Sequence, residues 1–132
     1  MSIKRTALVG ALLGLAALLP ATAAHADSTH IGGQLNTSGS LVQYSTFRTH
    51  TFTGPINLNL NNNTGNYTRL GLRDTAGNQF TYTQQWNAPG SQNFVLRNGS
   101  VRIAAGKHFA FNGRMGSCGW FCDNTWGGTL NY

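Results

Sequence analysis

The chain has 132 residues and is basic but sparsely charged, with nine Lys or Arg, three acidic residues that are all Asp, and 9% charged residues in total. Its abundant Gly, Asn and Thr give low helix propensity and favour turns. So few charges exclude the dense basic stripe with which proteins usually bind a nucleic-acid backbone, and the length suits one domain with a single core.

The N-terminus has the layout of a secretory signal peptide. Lys4 and Arg5 precede an apolar run of about thirteen residues, and a small-x-small cleavage site ends at Ala26. Because a membrane-spanning helix needs roughly 20 apolar residues, we predict that residues 1–26 are cleaved, that the product is secreted, and that it does not insert into a membrane. Without Lys4 and Arg5 the product keeps seven basic and three acidic side chains, a net charge of +4.

Residues 27–40 are polar and rich in small residues, with Gly32-Gly33 and Ser38-Gly39-Ser40 among them. Such a composition buries little apolar surface and is typical of flexible chain ends. We therefore predict a flexible polar N-terminal arm at 27–40 and a folded domain at 41–132.

Alternation of apolar and polar residues marks strands throughout the predicted domain. The first of them, 44–53, carries Phe47 and Phe52. Because these rings are five residues apart, strict alternation leaves one of them exposed unless the strand bulges. Further segments with a period of two lie at 56–61, 69–73, 79–86, 107–114 and 125–132.

A hairpin is predicted around Asn98-Gly99, which lies between two alternating runs. Asn-Gly is typical of a two-residue type I′ turn, because both residues tolerate a positive φ. In that register Leu96 opposes Val101 and Phe94 opposes Ile103, so that apolar side chains meet on one face.

Seven or eight short strands, with no helical periodicity beyond the leader, predict an all-β fold: a single antiparallel β-sandwich. A small closed barrel is the alternative. About a dozen large inward side chains are enough for one core. We therefore expect the domain to fold without a cofactor.

Cys118 and Cys122 are the only cysteines. Since export places them in an oxidising compartment, we expect a disulfide between them. Their spacing differs from the Cys-x-x-Cys of redox motifs, and a zinc site would need two further ligands from His30, His50 and His108, which lie in separate predicted segments. We therefore expect no metal.

No catalytic set is evident. Residues 116–120 resemble the neighbourhood of papain-type nucleophiles, but in those enzymes the histidine follows the cysteine, whereas here every histidine precedes it. A disulfide-bonded cysteine is also no nucleophile. The sequence has no Gly-x-Ser-x-Gly elbow whose serine could pair with His50 or His108. The three aspartates lie at the start of the mature chain, in a predicted turn and directly after Cys122, which does not indicate the carboxylate pair of a glycosidase. We predict that the protein is not an enzyme.

The C-terminal segment carries more large rings than a glycine-rich, non-periodic stretch can bury: Trp120, Phe121, Trp126 and Tyr132. We place Trp120 and Phe121 at a loop apex, as exposed anchors for a partner. Trp126 can also be accommodated in the core. All four belong to the candidate binding surface.

Four arginines complete that candidate surface. Arg69 and Arg73 share one strand face, and Arg97 and Arg102 share the outer face of the predicted hairpin. If the two elements are neighbours, they form one basic face. The alternative is a solvated sheet face whose charges prevent edge-to-edge aggregation.

Two classes of function fit such a surface. In the first, the domain is a protein-interaction module, an adaptor or a small inhibitor, that binds another secreted protein through its rings, its arm or a free sheet edge. In the second, the rings and the Asn side chains bind a cell-wall glycan. A small antimicrobial protein is a further alternative.

An exported β-domain with a polar N-terminus and the ending Asn124-Thr125-Trp126-Gly127-Gly128-Thr129-Leu130-Asn131-Tyr132 resembles small secreted proteins of actinobacteria. Among them it is similar to the adaptor subunit of umbrella toxin particles, which links a lectin-like subunit to a larger scaffold. This likeness of layout implies that residues 27–40 dock a partner, and it assigns no site residue. Together these features favour a secreted, non-enzymatic adaptor of an extracellular, toxin-type complex.

Overall fold

The computed structural model describes residues 26–132, so the predicted signal peptide lies almost wholly outside the described residues. The described part of the chain contains nine strands and no helix, and therefore no helix that is long and apolar enough to cross a membrane. The strands are β1 (Ser28–Gln34), β2 (Val42–Gln43), β3 (Arg48–Thr49), β4 (Asn57–Asn62), β5 (Thr68–Arg73), β6 (Gln84–Trp86), β7 (Gly90–Asn93), β8 (His108–Met115) and β9 (Thr125–Asn131).

The strands form two antiparallel sheets packed face to face. One sheet has the order β1-β9-β4-β7, and the other has the order β2-β8-β5-β6 with β3 also paired to β8. Neither sheet closes on itself within the described residues. The predicted β-sandwich is confirmed, and the alternative of a closed barrel is wrong.

The core lies between the sheets and follows from the period of two. In β4 Leu58 and Leu60 are buried while Asn59 between them is exposed, and in β5 Leu70 and Leu72 point into the same core. Burial of each such side chain contributes roughly 1.5–3 kcal/mol. The largest buried side chains beside these leucines are Trp86, Phe94, Phe109, Phe111 and Trp126.

The predicted flexible arm is wrong for most of its length. Strand β1 pairs with β9 from Ser28 to Gln34, and Ile31 is buried. The glycines that indicate flexibility instead permit close packing: a Cβ at Gly33 would lie 2.8 Å from the hydroxyl oxygen of Tyr44. Residues 28–34 therefore belong to the domain as an edge strand.

The predicted type I′ hairpin is also wrong in register. The Leu96 N–H donates to Ser100 O at 2.8 Å, so Leu96 opposes Ser100 rather than Val101. Only Gly99 has a positive φ in this turn, at +86°, whereas a type I′ turn needs two such residues. The extra residue in the turn leaves Val101 exposed.

The segment 44–53 forms only the two-residue strand β3 rather than a long strand. Of its two rings, Phe47 is exposed and Phe52 is half-buried. This agrees with the expectation that strict alternation cannot bury both.

Candidate functional site

The connection between β8 and β9 projects two aromatic side chains into solvent. Trp120 is 99% exposed and Phe121 is 103% exposed, which exceeds every other large apolar side chain in the described residues. The other two tryptophans of the chain, Trp86 and Trp126, are buried. The rings therefore lie where the sequence places them, at a loop apex.

A disulfide joins Cys118 to Cys122, as predicted, and closes the loop that carries the two rings. The Cα atoms of the pair are 6.1 Å apart, within the usual range for a disulfide. Inside the ring the Cys122 N–H donates to Gly119 O at 3.3 Å. We call residues 118–122 the aromatic loop. Its closure restricts the conformations that binding would otherwise have to select.

The aromatic loop is attached to the sandwich at both ends. The Cys118 N–H donates to Thr37 O at 3.0 Å, and Asp123 O accepts from the Gly65 N–H at 2.6 Å. The carboxylate of Asp123 accepts from the Thr125 hydroxyl at 2.7 Å and from its N–H at 2.9 Å. These hydrogen bonds hold the pKa of Asp123 below its ordinary value of 3.8.

Trp126 and Tyr132 do not belong to the exposed surface, so their inclusion in it is wrong. Trp126 lies in β9 between two other strands and faces the core, where its indole N–H donates to the Tyr44 hydroxyl at 2.8 Å. Tyr132 is half-buried, and its ring meets Phe109 edge-on with centroids 5.6 Å apart. Both rings stabilise the sandwich.

The four arginines do not form one basic face. Strand β5 lies between β6 and β8, so the segment with Arg97 and Arg102 is not its neighbour in the sheet. Arg73 is only 9% exposed, and its guanidinium donates to Tyr44 O at 2.6 Å. The predicted common face is wrong because the strand order separates its two halves. Arg69 remains exposed.

A groove of about 400 Å³ lies on the outer face of the five-stranded sheet, and Arg69 lines it. The pairing of β5 with β8 brings Arg114 opposite Arg69 and Asn112 opposite Gly71. The sequence analysis missed Arg114 and Asn112, because only the long-range strand pairing places them here. The groove is lined by Leu41, Arg69, Gly71, Gln79, Thr83, Gln85, Asn112, Gly113 and Arg114.

His50 and His108 lie on paired backbone segments, since Thr49 opposes His108 and the His50 N–H donates to Lys107 O at 2.8 Å, but their side chains differ in burial. His50 is buried with its Nε2 3.1 Å from Gly54 O, whereas His108 is exposed with its Nδ1 2.9 Å from the Thr49 hydroxyl. Within residues 26–132 no three His, Cys, Asp or Glu side chains are grouped so that they could hold a metal ion.

No protein-family model, no curated protein and no solved structure matches this chain. Function must therefore be inferred from the surfaces of the molecule itself.

Proposed function

We propose that the protein is a secreted, non-enzymatic adaptor that binds another secreted protein through Trp120 and Phe121. The observation that carries this proposal is the complete exposure of two adjacent rings on a disulfide-closed loop. Large exposed apolar side chains are costly in water and are the side chains that protein interfaces bury at their centres.

The aromatic loop differs in degree from the rest of the surface. The other exposed large apolar side chains, Leu41, Phe47, Tyr82 and Val101, are between 40% and 47% exposed and are scattered. Single, partly covered apolar residues are normal on any protein. Trp120 and Phe121 stand out because the two rings are adjacent and almost nothing in the domain covers them.

The loop is also suited to binding energetically. Tryptophan and other aromatic anchors commonly contribute about 2 kcal/mol or more at an interface, which corresponds to about 30-fold in Kd. The disulfide and the backbone hydrogen bonds at the loop base reduce the conformational entropy lost on binding. A pre-organised pair of rings can therefore anchor a partner with little other contact.

An adaptor needs a second contact surface, and the edge of β1 offers one. In the described part of the chain β1 pairs with β9 alone, so its other backbone edge carries no strand and could add one, except at Gln34, whose carbonyl accepts from the Tyr44 hydroxyl. Secretion is supported by the predicted leader and by the disulfide, which is typical of oxidising compartments. The net positive charge favours an acidic partner.

The test is affinity capture from the culture supernatant of the producing organism, with mass spectrometry of what is retained. We expect one secreted protein to be recovered with the wild type and lost with the Trp120→Ala/Phe121→Ala double variant. Phe47→Ala is the matched control, because it removes a half-exposed ring elsewhere on the surface. Recovery of the same protein with the double variant would exclude the aromatic loop as the binding site, and retention of cell-wall glycan alone would exclude the adaptor.

A further inference from the structure

The groove on the five-stranded sheet is built from two cross-strand rows of residues. Arg69 of β5 opposes Arg114 of β8 on one side and Gln85 of β6 on the other. In the next row Gly71 opposes Asn112. Residues directly opposite in an antiparallel pair share a face of the sheet. The two arginines therefore lie on the same face as Gly71 and Asn112, in the row beside them.

The side-chain amides of Gln79 and Asn112 are hydrogen-bonded to each other on this face, and their partners fix which way each amide points. The Gln79 Nε2 donates to Thr81 O at 2.8 Å, and a carbonyl oxygen can only accept. The Gln79 Oε1 must therefore face Asn112, whose Nδ2 donates to it at 2.9 Å. Gly71 makes room for this arrangement, because a Cβ there would lie 2.6 Å from Gln79 Cδ.

This pair of amides ends on a buried acceptor. Asn112 is only 6% exposed, and its Oδ1 accepts no hydrogen bond from any residue between 26 and 132. Buried side-chain oxygens without a donor are rare and costly in folded proteins. This oxygen has almost no accessible surface, so a ligand hydroxyl can reach it only when the Asn112 side chain shifts towards the groove. Because the amide orientation is fixed, the group that Oδ1 would then take is a donor such as a hydroxyl.

The two arginines in the groove favour an anionic ligand. Arg69 uses its Nε for Gln85 Oε1 at 2.7 Å, and Arg114 is exposed. Like charges opposite each other in a sheet are unfavourable. Among the described residues no acidic side chain lines the groove, and Asp74 and Asp123 accept hydrogen bonds within their own turns.

We propose that this groove binds an acidic saccharide, with a hydroxyl donating to Asn112 Oδ1 and a carboxylate accepting from Arg69 and Arg114. A uronic acid carries both groups on one ring. An acidic peptide fits less well, because Leu41 is the only large apolar side chain among residues 26–132 that lines the groove. The volume lies in the range of small-molecule sites. This site is separate from the aromatic loop and does not depend on it.

The test is a titration of the ¹⁵N-labelled protein, followed by NMR and calorimetry. Digalacturonate and N-acetylmuramic acid are the acidic probes, galactobiose is the neutral control and triglutamate is the peptide control. We expect an acidic saccharide to bind and to shift the side-chain NH₂ signal of Asn112. Arg114→Gln should weaken binding about 10- to 100-fold, as loss of a charge-assisted hydrogen bond does.

Arg102→Gln is the matched control, since it removes the same charge from an exposed residue outside the groove. It should leave the affinity within about twofold. Because Arg114 is exposed, the Arg114→Gln variant should fold normally. The proposal is overturned if neither acidic probe moves the Asn112 signal, if Arg114→Gln binds as well as the wild type, or if triglutamate binds equally well. Binding retained by the Trp120→Ala/Phe121→Ala variant would separate this site from the adaptor function.

Discussion

Removal of one oxygen atom, by Tyr44→Phe, should loosen the edge strand β1 from the rest of the sandwich. The Tyr44 hydroxyl donates to Gln34 O at 2.7 Å and accepts from the Trp126 indole N–H at 2.8 Å. The Tyr44 N–H donates to Phe111 O at 3.0 Å, in the opposite sheet. Tyr44 therefore connects β1 and β9 to β8 through one side chain and one amide.

The expected cost follows from what the substitution leaves unpaired. Gln34 is exposed, so its carbonyl can bond water, but Trp126 is buried and its N–H loses its partner. An unsatisfied buried donor costs about 1–3 kcal/mol. In a domain of this size each kcal/mol lowers the Tm by about 4 °C, so we expect a loss of about 4–12 °C.

Thermal and urea unfolding of the wild type and Tyr44→Phe measure this cost. The pH dependence gives a second check, because burial raises the pKa of Tyr44 above its ordinary value of 10.0. The folded state holds this proton more tightly, so its contribution is complete below pH 10.0 and is lost as pH rises through the raised pKa. Tyr44→Phe should lack this component. A Tm within about 1 °C of the wild type would refute the proposed coupling.

Three further predictions concern the sheet and the aromatic loop. Gly128→Ala places a Cβ against Asn59 O and 2.9 Å from Leu60 Cα, both in β4, and should lower the unfolding free energy by about 1–3 kcal/mol. Gly90→Ala, whose Cβ meets nothing within 4 Å, should be nearly neutral. Cys118→Ser/Cys122→Ser should cost about 2 kcal/mol in urea unfolding, the loop-closure entropy of a small ring, while the far-ultraviolet spectrum stays that of the sandwich. An unchanged urea midpoint would contradict that cost. The hydrogen bonds that lower the pKa of Asp123 stabilise the loop base above pH 3.8, and this contribution is lost as pH falls through the lowered pKa. NMR should therefore show the loop amides shifting in that pH range in the wild type and not in Asp123→Asn.

The local pattern of the sequence predicts much of the fold. Leu58, Leu60, Leu70 and Leu72 alternate with polar residues, and all four are buried where that period places them. This works because each strand of a sandwich has one face in the core. The exposed pair at the loop apex is predictable for a related reason, since the segment around it has no period that would bury a ring.

Long-range pairing accounts for what the sequence does not predict. Gly32 and Gly33 suggest a flexible arm, yet their small size lets β1 pack against β9 and Tyr44. The groove depends on β5 lying beside β8, about forty residues further along the chain, so Arg114 and Asn112 carry no local signal of their role. The turn prediction at Asn98-Gly99 was wrong because Asn98 does not adopt a positive φ. The turn therefore contains one more residue than predicted, and the strand register shifts by one residue.

Fluorescence quenching of Trp120 tests the central claim most directly. Because Trp86 and Trp126 are buried, acrylamide should quench mainly Trp120 in the free protein, and Trp120→Ala should remove that component. When the partner captured from the supernatant is added at saturation, the account predicts that Trp120 becomes protected from acrylamide. A stable complex in which Trp120 is quenched as readily as in the free protein would contradict it.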